Sequence, residues 1–236
     1  MFYDIKGGIK VIVIAKELLQ DEKDYVNYYI NIPKLYYKEK NESNYLQNEM
    51  IEKINQLISE DILTFMEVVD DSNNSISNEC TLINSLTEFE IGYISNNIIS
   101  LAIEFSQLWG LSDISYIKGY NYDFDLKKEI HLENLFKKNV DFLEILKKYI
   151  IVQVKKIFNE LELYEEDEVD YLKEDNIILD EDNTFYFTHE FLILPFSSCE
   201  IKEDILNLME VKIPFNKIYP YLNEYAIKNI VKKIIL

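Results

Sequence analysis

The segment NTFYFTHEFLILPF at residues 183–196, followed by VKIPFNKIYPYL at 211–222, constrains this chain most. Its aromatic and branched residues supply two candidate core strands, and such strands need an apolar face to cover. No catalytic constellation accompanies them. The chain therefore reads as a recognition domain more readily than as an enzyme.

Upstream, Leu46, Met50, Ile54, Leu57, Ile58, Phe65 and Met66 form one apolar stripe and predict a helix over 46–67. The polar stretch DDSNNSISN that follows predicts a loop, because its side chains can bond their own backbone. VIVIA at 11–15 is a short strand candidate. Residues 86–94 and 97–105 predict paired strands around a turn at Asn96 and Asn97, with Ile99, Leu101, Ile103 and Phe105 buried against a helix. In YNYDFDL the period of two places Tyr120, Tyr122, Phe124 and Leu126 on a buried face, and Asn121, Asp123 and Asp125 on a wet one. LENLF predicts a short helix. A longer one over 140–158 carries Phe142, Leu146, Tyr149, Ile150, Val154 and Ile157 on its core side.

With 236 residues, 48% of them hydrophobic, the chain has ample core material for one domain or two tightly packed lobes. The aromatic strand beginning near Thr184 needs a face to bury, which favours one interlocked unit. Its 24 basic against 43 acidic residues give a formal charge of -19, which disfavours nucleic acid and anionic membranes and favours a basic partner. Glu160 to Asp175 holds nine carboxylates against Lys173 alone; this is either a solvated connection or a surface that steers a basic protein. No apolar run approaches the length of a membrane helix. Lys16 and Glu17 interrupt the only apolar run near the start, so no signal peptide is read and the chain as given is expected to be soluble.

Chemistry-bearing residues are sparse. His131 and His189 stand in no metal motif, and Cys80 and Cys199 are separate thiols or a single disulfide. Asp123 and Asp125 share a strand face, an arrangement far more common for exposed polar residues than for an acid/base pair. No nucleophile elbow is present, Gly7 and Gly8 read as a turn, and DDSNNSISNECT and DEDNTFYF fail the calcium-loop pattern.

Taken in order, YYINIPKL, LQNEMIEKINQLISEDI, NNIISLAIEF, GYNYDFDLKKEIHLENLF, NTFYFTHEFLILPFSSCEIKEDI and VKIPF resemble the family in which a DUF4163 domain precedes a DUF3298 domain. Such domains form the extracytoplasmic part of RsiV-type anti-sigma factors and accompany the catalytic domain of PdaC-type peptidoglycan deacetylases. The resemblance covers roughly residues 27–224. It departs from the family at SQLWGLSDIS, where a histidine is absent, and at Ser197, Ser198 and Cys199, where many members have a glycine. Roles tied to that histidine do not carry over.

The resemblance implies an α+β fold, an antiparallel sheet packed by helices in a single interlocked DUF3298-like domain. Residues 1–26 would be an amino-terminal strand or extension, 27–85 the DUF4163-like part, 86–224 the DUF3298-like part, and 225–236 a carboxy-terminal helix or extension. It further implies a noncatalytic extracytoplasmic or cell-envelope sensor that binds a basic lysozyme-like hydrolase. The alternative is an accessory domain for peptidoglycan or another cell-wall glycan. Partner-binding candidates are Trp109, which otherwise packs structurally, and Glu165, Glu166, Asp167, Glu168 and Asp170 of the acidic run. No catalytic, cofactor or metal residue is expected, and neither nucleic-acid contact nor membrane insertion. Oligomeric state stays open.

Overall fold

The computed structural model describes residues 10–23, 25–39, 45–46, 48–75, 82–95, 97–109, 112–161, 177–179, 184–197 and 208–231. Strands β1 (Lys10–Lys23) and β2 (Val26–Glu39) pair antiparallel along their length, so VIVIA is part of a long strand. Strand β3 (Tyr45–Leu46) pairs with the far end of β2. Helix α1 (Glu49–Ser75) then crosses back, and β4 (Ile83–Ile94) lands parallel to β2, the pairing that a crossover connection permits. From there β5 (Ile98–Trp109), β6 (Ser112–Asp123) and β7 (Lys128–Glu129) meander antiparallel, giving the order β1-β2-β4-β5-β6-β7.

Asn48 caps α1: its Oδ1 accepts from the backbone N–H groups of Met50 at 3.0 Å and Ile51 at 3.2 Å, beside Glu49 and Glu52 in the first turn. Ile51, Ile54, Ile58, Ile62, Phe65 and Val69 recur every three or four residues and bury against Ile99, Leu101, Ile103 and Phe105, the face the alternation in β5 predicts. The helix does not end at 67. Val69 continues the buried stripe, and Asp70 takes a hydrogen bond from Tyr28 Oη at 2.7 Å and pairs with Lys23. These ties hold the start of DDSNNSISN in the helix, where polar composition alone predicted a loop.

The opposite face of the sheet is covered as well. After a 3-10 turn at Leu132–Leu135 and α2 (Phe142–Leu161), strands β8 (Tyr186–Phe187), β9 (Phe191–Phe196) and β10 (Met209–Pro214) form a second, three-stranded antiparallel sheet. Thr188 Oγ1 accepts from the N–H groups of Glu190 and Phe191, at 3.2 and 3.0 Å, and makes the bend that splits the aromatic segment into β8 and β9. Leu192, Leu194, Val211 and Ile213 share a core with Leu146, Ile150, Val154 and Phe158 of α2, while Ile193 and Tyr186 cluster with Ala102 and Ile117 of the large sheet. Short helices α3 (Phe215–Ile218) and α4 (Glu224–Asn229) close the chain over this core. The result is an α+β domain layered as α1, large sheet, small sheet and α2.

This second cover corrects the reading of YNYDFDL. Tyr120, Tyr122 and Phe124 are buried as expected, but Asn121 and Asp123 are only 3% and 2% exposed. Asn121 lies under the small sheet. Its Oδ1 accepts from Ser100 Oγ at 2.6 Å and its Nδ2 donates to the Phe185 carbonyl at 2.8 Å; Ser100 Oγ in turn accepts from Phe187 N–H at 2.8 Å. Asp123 ends β6, and its Oδ1 accepts from the N–H groups of Asp125 and Leu126, both at 2.9 Å. That turn releases Leu126 from the buried face, leaving it 52% exposed, and only Asp125 is wet as predicted.

Gly119 and Gly92 allow the two sheets to meet at backbone distance. A Cβ on Gly119 would sit 1.8 Å from the Phe185 carbonyl oxygen, and one on Gly92 2.4 Å from that of Phe187. Gly119 N–H also donates to Thr184 Oγ1 at 2.7 Å.

Candidate functional site

Between the small sheet and the uncovered part of the large one lies a cleft of about 550 Å³. Its floor is apolar: Ala102 and Ile117 are buried with Tyr186 above them. Its rim is acidic. Strand alternation puts Glu88 and Glu90 of β4 and Glu104 of β5 on this side, and Glu210 of β10 faces them with Lys212.

The register places Glu88 directly opposite Glu104. Like charges facing across a ladder disfavour the pairing, and Lys16 already stands beside Glu88 to offset part of it. Both side chains are nevertheless positioned. Glu88 accepts from Asn31 Nδ2 at 2.7 Å and lies 3.6 Å from Lys16, and Glu104 accepts from Ser106 Oγ at 2.9 Å. Tyr186 Oη donates a hydrogen bond to Glu210, whose other oxygen is 3.4 Å from Lys212. Burial and that hydrogen bond raise the Tyr186 hydroxyl far above the ordinary tyrosine range, so it remains a neutral donor fixing Glu210.

An apolar floor under a carboxylate rim suits a lysine or arginine side chain, whose aliphatic stem needs cover and whose charged head needs oxygens. The cleft is lined, among the described residues, by no histidine, serine or cysteine. Among the described residues no group of three His, Cys, Asp or Glu converges to hold a metal ion. His131 is the exposed residue before the 3-10 turn, and His189 is exposed with its ring 4.8 Å from that of Tyr93.

Of the residues expected from sequence to touch a partner, Trp109 ends β5 opposite Ser112 of β6 and Ile83 of β4. Glu165, Glu166, Asp167, Glu168 and Asp170 lie outside the described residues, as do Cys80 and Cys199. The cleft carboxylates were not singled out from sequence. Their signal was present: Glu88 and Glu90 alternate within a predicted strand, and Glu104 does so in its hairpin partner. Joining them needed the register, and joining Glu210 needed the second sheet.

No helix among the described residues is long and apolar enough to cross a membrane. The sequence matches no protein-family model and no curated protein. Among solved structures, the chain is similar to a member of the DUF3298 family from Bacteroides fragilis, at 15% identity and a TM-score of 0.57 over 95% of this chain and 98% of that one. It is likewise similar to a DUF3298 family protein from Pseudomonas aeruginosa, at 10% identity and a TM-score of 0.56 over 89% and 95%. At these identities the likeness shows a shared fold, spanning nearly the whole length of each chain.

Proposed function

We propose that this chain is a noncatalytic recognition domain of the cell envelope that captures a basic protein, a lysozyme-like wall hydrolase in the first instance, through the acid-rimmed cleft. The observation that carries this reading is the cleft itself: an apolar floor ringed by Glu88, Glu90, Glu104 and Glu210, with two of the carboxylates facing each other across a strand pair. The chain's charge of -19 acts at longer range, steering a cationic protein toward the surface. A basic side chain entering the cleft would lay its stem on the apolar floor and bring its charge to the carboxylates of the rim.

Calorimetric titration with a basic lysozyme, at several salt concentrations, tests the reading. The expected result is a saturable one-to-one complex that weakens steeply with salt, because surface attraction is screened within about 8 Å at physiological ionic strength. The triple variant Glu88→Gln/Glu104→Gln/Glu210→Gln should lose about tenfold or more of affinity while staying folded. Binding that the triple variant leaves unchanged would move the contact to another surface. Absence of binding, together with saturable association with purified peptidoglycan, would instead favour an accessory glycan-binding role.

A further inference from the structure

Another cavity among the described residues, of about 620 Å³, has the opposite electrostatic character. It lies between the β6–β7 turn, the segment leading into α2, and the start of α4. Lys128, Lys137 and Lys138 line it against a single carboxylate, Glu133. This is a local excess of ammonium groups on a chain whose formal charge is -19. Leu126 and Phe142 supply apolar wall, and Phe142 is stacked on the buried Phe136 with ring centroids 5.0 Å apart.

The walls are fixed by hydrogen bonds among lining residues and to groups just behind them. Buried Asp123 holds two of them: its Oδ1 caps the turn that presents Leu126 and Lys128, and its Oδ2 accepts from Tyr225 Oη of α4 at 2.6 Å. Lys127 completes that turn with φ of 51°, a left-handed conformation that costs about 1 kcal/mol or more for a side-chain-bearing residue. Asn223 Nδ2 bridges the carbonyls of Asn134 and Phe136 at 2.8 and 3.1 Å. Lys137 Nζ is tied to the Pro220 carbonyl at 2.6 Å, whereas Lys128 and Lys138 are exposed with no partner among the described residues.

We infer that this pocket binds an organic phosphate ester, with the phosphate held by Lys128 and Lys138 and the apolar body laid against Leu126 and Phe142. The volume falls within the range of small-molecule sites, about 300–1,000 Å³. Ammonium groups act as point charges that surround a multi-oxygen anion rather than gripping a planar one. No arginine occurs in the chain, so lysine is its only strong cation. The site is separate from the acidic cleft and does not rest on the proposed function.

The test is an NMR titration of the intact chain with phenyl phosphate, using inorganic phosphate and neutral benzyl alcohol as comparisons. Saturable shifts are expected at Lys128, Lys138 and Phe142 amides, with phenyl phosphate the tightest of the three. The exposed double variant Lys128→Gln/Lys138→Gln should bind about tenfold or more weakly. Lys53→Gln/Lys155→Gln, which removes the same charge from α1 and from far along α2, should bind as the parent does. Phosphatidylglycerol vesicles distinguish the source of the ester. Co-sedimentation that the double variant loses assigns a lipid headgroup, and phenyl phosphate binding without co-sedimentation assigns a soluble ligand. Equal affinity for benzyl alcohol, no saturable shift with any phosphate ester, or an unchanged affinity in the double variant would overturn the inference.

Discussion

Asn121 bonds two buried groups, accepting from the Ser100 hydroxyl and donating to the Phe185 carbonyl, and Ser100 Oγ in turn accepts from the Phe187 N–H. Replacing it by alanine strands a carbonyl between two sheets, and each unsatisfied buried group costs about 1–3 kcal/mol. Asn121→Ala should therefore lower unfolding stability by roughly that amount in a denaturant titration. Gly119→Ala should cost at least as much for a different reason, since its Cβ would fall 1.8 Å from the backbone carbonyl oxygen of Phe185. A loss below about 0.5 kcal/mol in both variants would mean that the sheets do not meet at these residues. Neither role was legible from alternation. A period of two tells which residues share a face and not whether that face is wet, so the alternation alone does not show that Asn121 lies under the small sheet or that Asp123 is held by Tyr225 of α4.

At the scale of elements, the helices and strands whose apolar residues repeat regularly were readable, and the docking of the short ones was not. The stripes of α1 and α2 and the alternation of β5 appear in the sequence because one face of each is buried. Helix α4 is six residues long and keeps its place through specific bonds: Asn223 caps it by accepting from Ala226 N–H at 2.9 Å, and Tyr225 donates to Asp123. No pattern announces a pair separated by more than a hundred residues. The same limit hid both pockets, whose walls come from strands and turns far apart in the chain. Tyr225→Phe deletes the bond to a buried carboxylate, a loss of about 1.5–3 kcal/mol for a charged acceptor. Hydrogen exchange should show the consequence locally, with faster exchange in α4 and the β6–β7 turn and little change in α1. Uniform acceleration across all elements would show instead that α4 opens only with the whole domain.

The molecule as a whole carries an unusual load of tyrosine hydroxyls placed against carboxylates, and this sets its response to base. Burial, followed by a hydrogen bond to an acid, raises Tyr28 beside Asp70, Tyr186 beside Glu210 and Tyr225 beside Asp123. Burial and the nearby and hydrogen-bonded Asp61 do the same for Tyr120. Tyr116, buried in part and near Asp61, is pushed up to about 12. A hydroxyl whose folded value exceeds its unfolded one keeps its proton longer in the native state. The stability it contributes is fully present below about pH 10 and is lost as pH rises from there toward the folded value. These groups act in the same direction on both sides of the large sheet, so their losses accumulate in one cooperative unit. Base should thus unfold the domain in a single step beginning above about pH 10. The carboxylate-bonded hydroxyls should ionise in one phase that coincides with loss of ellipticity. Tyrosinate absorbance and far-ultraviolet circular dichroism followed on one titration test the coincidence. If every tyrosine ionised near pH 10 with ellipticity intact, the carboxylate-bonded hydroxyls would be open to solvent and the contacts between the two sheets and α4 would be looser than described.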